Sequence, residues 1–424
     1  MTEDLPQLLS VEQARENVLK LVDVLDVENV HPLEALGRVL AEDMKSDINI
    51  APFDNSAMDG FAVSTKDFAG EEAPVELKVI GHIGAGDWPE KSLEPGTVIR
   101  IMTGAPVPEG ADAVIKIEDT HVVSGDGSVG SVIAFDKLAQ QGDNIRFAGE
   151  EVKAGAVVLS AGEKVTPAAV GLLAATGNAE VPVYRRPRVA ILATGSELVE
   201  ISDTPTRGKI RNSNSYSLAA QVIEAGGVPM RFPLIEDTYE ATEAAVLKAA
   251  HEADYILTSG GVSVGDFDYV KPVLSKLGEM YFSSVNMRPG KPQTLGVVTA
   301  HGGKPVPFFG LPGNPTSTYV GFEMFIRPAL LKMQGFTNIV RPTCTARLAH
   351  DVKKRQSRRY YLRGSAIKNN QGTYIAHVEG SQSSAVLASA HRANCFIILP
   401  EGVAPMYEAD EVTCMWLDRP EGAE

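Results

Sequence analysis

Three apolar runs in the second half of the chain stop at glycine-rich or acidic turns. They are Thr194-Gly195-Ser196-Glu197 after RVAILA, Ser259-Gly260-Gly261-Val262-Ser263-Val264-Gly265 after DYILT, and Gly310-Leu311-Pro312-Gly313-Asn314-Pro315 after PVPFF. Glycine lets a backbone approach a phosphate closely and adopt positive φ, so that N–H donors face the ligand with no side chain in the way. One such turn is weak evidence, better explained as an ordinary tight loop. Three at successive strand ends describe one anion-binding rim, with Gly260, Gly261, Ser263, Gly265, Pro312 and Gly313 as its backbone donors and its wall.

Acids stand on the same rim: Glu197, Asp237 after PMRFPLIE, and Asp266 and Asp268 in GDFDY. Carboxylates beside a phosphate loop repel the ligand unless a cation sits between them, and Mg²⁺ with oxygen ligands is the usual choice. Asp237 has a second reading of equal weight, because Glu240 follows three residues later and the pair fits a helix capping box. Met287-Arg288-Pro289-Gly290-Lys291-Pro292 puts two cations on a turn stiffened by Pro and Gly. Cations on a rigid turn suit an oxyanion, although a solvated loop with incidental charge has the same composition. PFDNSAMDGFAV from Pro52 and RIMTGAPVPEGADAV from Arg100 mix small, polar and Gly/Pro residues. Each reads as a loop on a rigid scaffold, for binding or as a structural turn.

These residues need elements to hold them. From about Pro187 apolar strand patterns and amphipathic helix patterns alternate: RVAILAT, SLAAQVIEAGG, PMRFPLI, TYEATEAAVLKAAHEA and DYILTSGG. Such alternation predicts βαβ units and a parallel-rich sheet covered on both faces. Ligands of such sheets bind outside the carboxyl ends of the strands, where helix N-termini point their unpaired N–H groups. Ser10 and Gln13 form a capping-box pattern that opens a helix of about sixteen residues. Between residues 48 and 153 short apolar runs such as VELKVIGHI, TVIRIM and ADAVIKIE predict a β-rich domain, with GDGSVG as a hairpin tip. VTPAAVGLLAATG is helical with Gly177 as its C′ residue, and VGFEMFIRPALLKMQG is a further helix. CTARLA, YYLRGSAI, TYIAHV, CFIILP and VTCMWL then predict a small C-terminal β domain. The expected division is a discontinuous helical domain (1–47 and 154–184), an inserted β-rich domain (48–153), an α/β domain (185–336) and a C-terminal β domain (337–424).

With 424 residues and 44% hydrophobic content the chain is too long for one core. Its net charge of −15 argues against nucleic acid, whose phosphates need clustered Lys and Arg. Cys344, Cys395 and Cys414 show no metal-ligand spacing, so zinc and a disulfide framework are not expected. The acidic, amphipathic N-terminus is unlike a signal peptide, and no run approaches the ~18 apolar residues of a membrane span. A soluble cytoplasmic protein is expected.

Read in order, PFDNSAMDGFAV, RIMTGAPVPEGADAV, ATGSEL, SGGVSVGDFDY, RPGKP, GLPGNPTS and ANCFIILP resemble the molybdopterin molybdenumtransferases of the MoeA and gephyrin E-domain family, from about residue 8 to residue 417. The resemblance implies an α/β multidomain fold: a central MogA-like three-layer α/β/α domain, an inserted β-rich domain, a helical linker domain and a C-terminal β barrel. It implies a homodimer whose cleft is completed by the partner's second domain. The implied chemistry is insertion of molybdate into adenylylated molybdopterin with Mg²⁺-dependent release of AMP. Carried over by position, Glu197, Asp237 and Asp268 would hold Mg²⁺, and Arg288, Lys291, Ser317, Arg363 and Ser384 would take molybdate. Gly260, Gly261, Ser263 and Gly265 would cradle phosphate, and Asp59 and Thr103 would reach in from the other subunit, with Asp268 and Lys291 also catalytic. Glu151 stands where the family commonly has aspartate and Arg288 where lysine is usual; neither swap is neutral at a tight site. Gephyrin's use of this fold implies an alternative, a dimeric scaffold that binds a short peptide of a membrane or cytoskeletal partner.

Overall fold

The computed structural model describes residues 8–261, 269–300, 303–402 and 404–418. The chain forms two compact units. One comprises Asn29–Leu36 and Glu42–Pro182; the other comprises Met1–Glu28, Gly37–Ala41 and Val183–Glu424. Among the described residues no helix is long and apolar enough to cross a membrane.

The unit of residues 42–182 is built on a six-stranded sheet in the order Ala113–Lys116, Gly60–Val63, Thr97–Ile101, Val75–Ile83, Val132–Phe135, Thr120–Ser124. Val75, Leu77 and Val79 alternate inward along their strand, as a half-buried strand requires. Phe61 and Phe68 both meet Phe135 edge to face, at 5.7 and 5.8 Å between ring centres. The expected hairpin tip at GDGSVG joins Thr120–Ser124 to Val132–Phe135. The helix Pro167–Ala175 is capped by Thr166, and Gly177 just beyond it has φ +77°. At Gly60 an added Cβ would lie 2.0 Å from the Ile115 carbonyl oxygen on the paired strand, so the glycine of the MDG motif is needed for strand pairing.

In the other unit the strands Val228–Arg231, Arg188–Ala193, Tyr255–Ser259 and Pro305–Leu311 pair in parallel in that order, and Pro292–Thr299 and Gly278–Ser284 extend the sheet antiparallel. The sheet is therefore mixed, because the turn at Gly303 and Lys304 returns the chain directly to the neighbouring position without a crossover helix. Both faces are covered. Ala190, Leu192, Ile256 and Phe308 share a core with the helices Tyr239–Glu252 and Val270–Leu277. Val189, Ile191, Leu257 and Phe309 join the opposite core with Leu218, Val222, Val320 and Leu330. Burial on both sides explains why these strands read as unbroken apolar runs.

Beyond it, Arg359–Lys368, Tyr374–Val378, Thr343–Leu348, Glu411–Trp416 and Cys395–Leu399 pair in a ring, since the last also pairs with the first: a closed five-stranded barrel. Met287–Arg288 adds to it in parallel, with Arg288 opposite Tyr360.

Two helices differ from expectation. The first spans only Val11–Lys20, although its capping box is present as read. Asp23 and Asp26 follow, where carboxylates oppose the helix dipole, and Val22 and Leu25 reach the same core without helical backbone. The helix expected from Val320 begins at Pro315, and passes through a wide turn at Phe322–Ile326 before Arg327–Met333. Pro328, which lacks an N–H, is accommodated after that turn.

Glu323, on the wide turn, is buried. Its carboxylate receives Arg341 Nε at 2.7 Å and Gln221 Nε2 at 3.0 Å, while Arg341 also reaches Glu224 at 2.8 Å and the Leu417 carbonyl. Removing Glu323 leaves the largely buried Arg341 with only the exposed Glu224 as counter-charge, so Glu323→Ala should lose roughly 3 kcal/mol of stability, the low end for a broken buried pair. Urea unfolding followed by tryptophan and tyrosine fluorescence measures this; a loss below about 1 kcal/mol would mean that the pair behaves as a surface ion pair.

Candidate functional site

Register places the three strand ends at one level, because Ala193, Ser259 and Leu311 are lateral neighbours in adjacent parallel strands. The turns that follow therefore meet. Gly260 has φ +94°, and a Cβ there would lie 2.8 Å from the Thr194 carbonyl oxygen. Gly261 has φ +68°, with Val270 Cγ2 at 2.6 Å from an added Cβ. Gly313 abuts Gly260, whose Cα would be 4.0 Å from its Cβ. Close approach and positive φ both require glycine at Gly260. Ser263, Gly265, Asp266 and Asp268 lie outside the described residues.

Beside this rim is a hollow of about 70 Å³ lined by Thr194, Glu197, Asn212, Asn214, Ser259 and Gly313 among others. Asn214 Nδ2 donates to Ser259 Oγ and to the Gly313 carbonyl, both at 2.8 Å, tying two of the turns together. Asn214 Oδ1 and Asn212 Nδ2 are buried without a hydrogen-bond partner, and such groups are costly unless a ligand or water meets them. Neither asparagine was expected to matter. The signal was available in Asn212-Ser213-Asn214 ahead of a helix that starts at Asn214, since Asn at a helix start faces the unpaired N–H groups.

The acids divide. Asp237 accepts the Ser196 N–H at 2.5 Å, which pins the Gly195–Glu197 turn. It does not cap the following helix: Thr238 does, accepting from Ala241 N at 3.2 Å, so the capping-box reading of Asp237 is corrected. Thr238 prevails because it immediately precedes the first helical residue and so directs its hydroxyl at the third N–H. The Glu197 carboxylate folds over Gly195, where a Cβ would be 2.6 Å from Oε2. Two carboxylates thus belong to one turn. Among the described residues no group of three His, Cys, Asp or Glu side chains is arranged to hold a metal ion.

A second group of residues continues from the rim through the helix Pro315–Gly321. Ser317 is buried in that helix, and its carbonyl oxygen lies 3.4 Å from the Cβ position of Gly290, which has φ +91° in the turn carrying Arg288 and Lys291. Thr316 N donates to the Ser384 carbonyl at 3.0 Å, and Thr316 Oγ1 to the Val386 carbonyl at 3.0 Å. The loop holding Ser384 wraps Arg363. Arg363 Nη2 donates to the Ser381 and Ser383 carbonyls at 3.1 Å each, Nε to Ser389 Oγ at 3.2 Å, and its backbone N–H to Gln382 at 3.0 Å. Arg363 is 1% exposed, yet no carboxylate pairs with it, with Arg288 or with Lys291 among the described residues. Burial, and then the neighbouring Arg288 guanidinium, pull the Arg363 pKa down to about 10, which leaves it charged at neutral pH. In a chain of net charge −15, cations left without acids are poised for an anion from outside.

Asp59 and Thr103 belong to the unit of residues 42–182, and the structure brings them together. Asp59 Oδ1 accepts both the Thr103 N–H and its hydroxyl at 2.7 Å. These bonds, the backbone one first, hold the Asp59 carboxyl below its usual range. Their loops are joined through Gly104 N to the Ser56 carbonyl at 2.8 Å and Ser56 N to the Ala105 carbonyl at 3.0 Å. An open hollow of about 640 Å³ adjoins them, lined by Phe53, Asn55, Gly104, Phe147 and Glu151 among others.

Comparison with known proteins follows this architecture segment by segment. Residues 9–177 match the MoeA N-terminal region (domain I and II), residues 190–332 the probable molybdopterin binding domain, and residues 345–417 the MoeA C-terminal region (domain IV). The molybdopterin molybdenumtransferase of Bacillus subtilis is 40% identical over 395 residues, covering 92% of this chain and 90% of the relative. That of Haemophilus influenzae is 36% identical over 420 residues, covering 96% and 98%. The crystal structure of the molybdopterin biosynthesis MoeA protein of Pyrococcus horikoshii superposes with a TM-score of 0.80 at 32% identity, covering 98% of this chain and 100% of that one. With its three family segments in order and its fold shared, the chain belongs to the molybdopterin molybdenumtransferase (MoeA) family of transferase enzymes.

Proposed function

We propose that this chain inserts molybdate into adenylylated molybdopterin in molybdenum cofactor biosynthesis, releasing AMP in a Mg²⁺-dependent step. The observation that carries the reading is Arg363: a buried guanidinium with no carboxylate partner among the described residues, near Arg288 and linked toward the glycine rim through the Ser383–Ser384 loop and the Pro315–Gly321 helix. A tetrahedral dianion with four oxygen acceptors matches that set of donors. Lys291, Ser317 and Ser384 complete its coordination.

The glycine rim takes the other end of the substrate. Backbone N–H groups at Gly261 and Gly313, with Ser263 and Gly265 and the wall formed by Pro312, hold the phosphate; Gly260, expected as a donor, gives its own N–H to the Leu311 carbonyl at 3.0 Å and shapes the turn instead. Glu197 and Asp237 offer hard oxygen donors on one turn, and with Asp268 they would hold Mg²⁺, which when bound neutralises charge on the leaving phosphate. Water attacks the phosphoanhydride and AMP leaves; the two dithiolene thiols replace one molybdate oxygen, which departs as water with both thiol protons, so two Mo–S bonds form, one Mo–O bond breaks and no protein nucleophile is used. A homodimer is part of this reading, with Asp59 and Thr103 of a second copy orienting the pterin. The reading also takes over the four-domain division expected from sequence, and the breaks between family segments at 177–190 and 332–345 support two of its boundaries.

Purified protein with Mg²⁺, molybdate and adenylylated molybdopterin should release AMP, and both Asp268→Ala and Glu197→Gln should lower the rate at least about 100-fold. Well-folded protein that releases no AMP in response to molybdate would end the reading. Oxyanion binding is checked separately by thermal melting at pH 7. Molybdate at ~100 times its Kd should stabilise the wild type by ~2.7 kcal/mol, and Arg363→Met should remove that response. An unaltered response in Arg363→Met would place the anion elsewhere.

A further inference from the structure

Tyr360 is 4% exposed, at the mouth of the barrel strand that also carries Arg363. Its ring lies in the barrel core with Leu362, Ile397 and Trp416, a role that phenylalanine would fill equally well. The hydroxyl is what packing leaves unexplained. It accepts from Arg288 Nη1 at 3.0 Å, from Gln356 N at 3.2 Å and from Arg355 N at 3.3 Å. A phenol oxygen has two lone pairs, so three donors commit it fully as an acceptor. The ring is flanked by cations as well, with Arg288 Cζ 5.0 Å and Lys354 Nζ 5.4 Å from its centre. Strand pairing sets Arg288 directly opposite Tyr360, so the contact is built into the register.

Arg288 needs an anchor. It is exposed, it has no carboxylate partner among the described residues, and the Arg363 guanidinium repels it. Left alone, so long a side chain would swing into solvent and lose its direction. The phenol hydroxyl and the ring face attract the guanidinium without neutralising its charge. Resting on the oxyanion reading above, we infer that Tyr360 is a positioning residue for the oxyanion: it aims Arg288 at the anion bound by Arg363, while the Arg355 and Gln356 N–H groups fix its hydroxyl in place.

The test is isothermal titration of the full-length chain with sodium molybdate, for wild type, Tyr360→Phe, Arg288→Gln and the double variant. Loss of one hydrogen bond that aims a charge should weaken binding roughly three- to ten-fold in Tyr360→Phe. In the Arg288→Gln background the same change should have almost no further effect, because the two residues act as one unit. Equal weakening in both backgrounds would mean that Tyr360 acts through the barrel alone and would overturn the inference. Arg288 is at the surface, so Arg288→Gln gives an answer even if Tyr360→Phe folds poorly: wild-type affinity in that variant overturns the inference by itself. Wild-type protein that binds no molybdate would instead remove the oxyanion reading, and the role of Tyr360 with it.

Discussion

A guanidinium cannot shed its charge at neutral pH, and enclosing it without an acid costs free energy that the protein must offset or a ligand must relieve. Arg363 is in that position. Its hydrogen bonds go to two backbone carbonyls and a serine hydroxyl, which satisfy N–H groups without a carboxylate to match the charge among the described residues. Every other part of the proposed oxyanion pocket follows from it: the Ser384 loop is shaped by wrapping it, and Arg288 must be anchored against its repulsion. The contrast with Arg341 is instructive, because that arginine has two carboxylates and serves only to join the barrel to the α/β layer.

The frame that presents Arg363 is assembled from distant stretches of chain. Parallel register levels three strand ends, so the glycine turns meet without any contact being specified turn by turn. The Pro315–Gly321 helix then carries the rim across to the barrel, bonding to the Ser384 loop at its first turn. The short strand Met287–Arg288 leaves the α/β sheet to join the barrel edge, which is how a residue numbered 288 comes to lie beside one numbered 360. Small errors in any of these elements would misdirect donors that need placing within a fraction of an ångström.

Much of this was legible from sequence wherever the determinant is local. Unbroken apolar strands, the capping residue Ser10, the Gly177 helix end and the turns at Gly195, Gly260 and Gly313 all obey short-range rules, and each is present. What could not be read depends on partners far along the chain. Tyr360 has the pattern of a barrel residue, and only the fold reveals Arg288 at its hydroxyl. Asp237 looks like a helix cap in sequence, but Thr238 sits directly before the first helical residue, and Asp237 is taken by Ser196, forty-one residues earlier in the sequence. Asn212 and Asn214 resemble loop residues until Ser259 and Gly313 arrive beside them. The first helix was overestimated because its apolar spacing continues past Lys20 in a chain that no longer has helical backbone.

The account stands most directly on where a tetrahedral oxyanion binds. Crystals soaked in molybdate, with diffraction collected on either side of the molybdenum absorption edge, locate the metal by anomalous scattering independent of any model of the protein. The predicted result is a single strong peak whose oxygens lie at charge-assisted hydrogen-bond distance, about 2.7–2.9 Å, from the Arg363 guanidinium, with Ser384 and Arg288 in contact. A peak at another cluster of cations, with Arg363 still enclosed and unmatched, would contradict it.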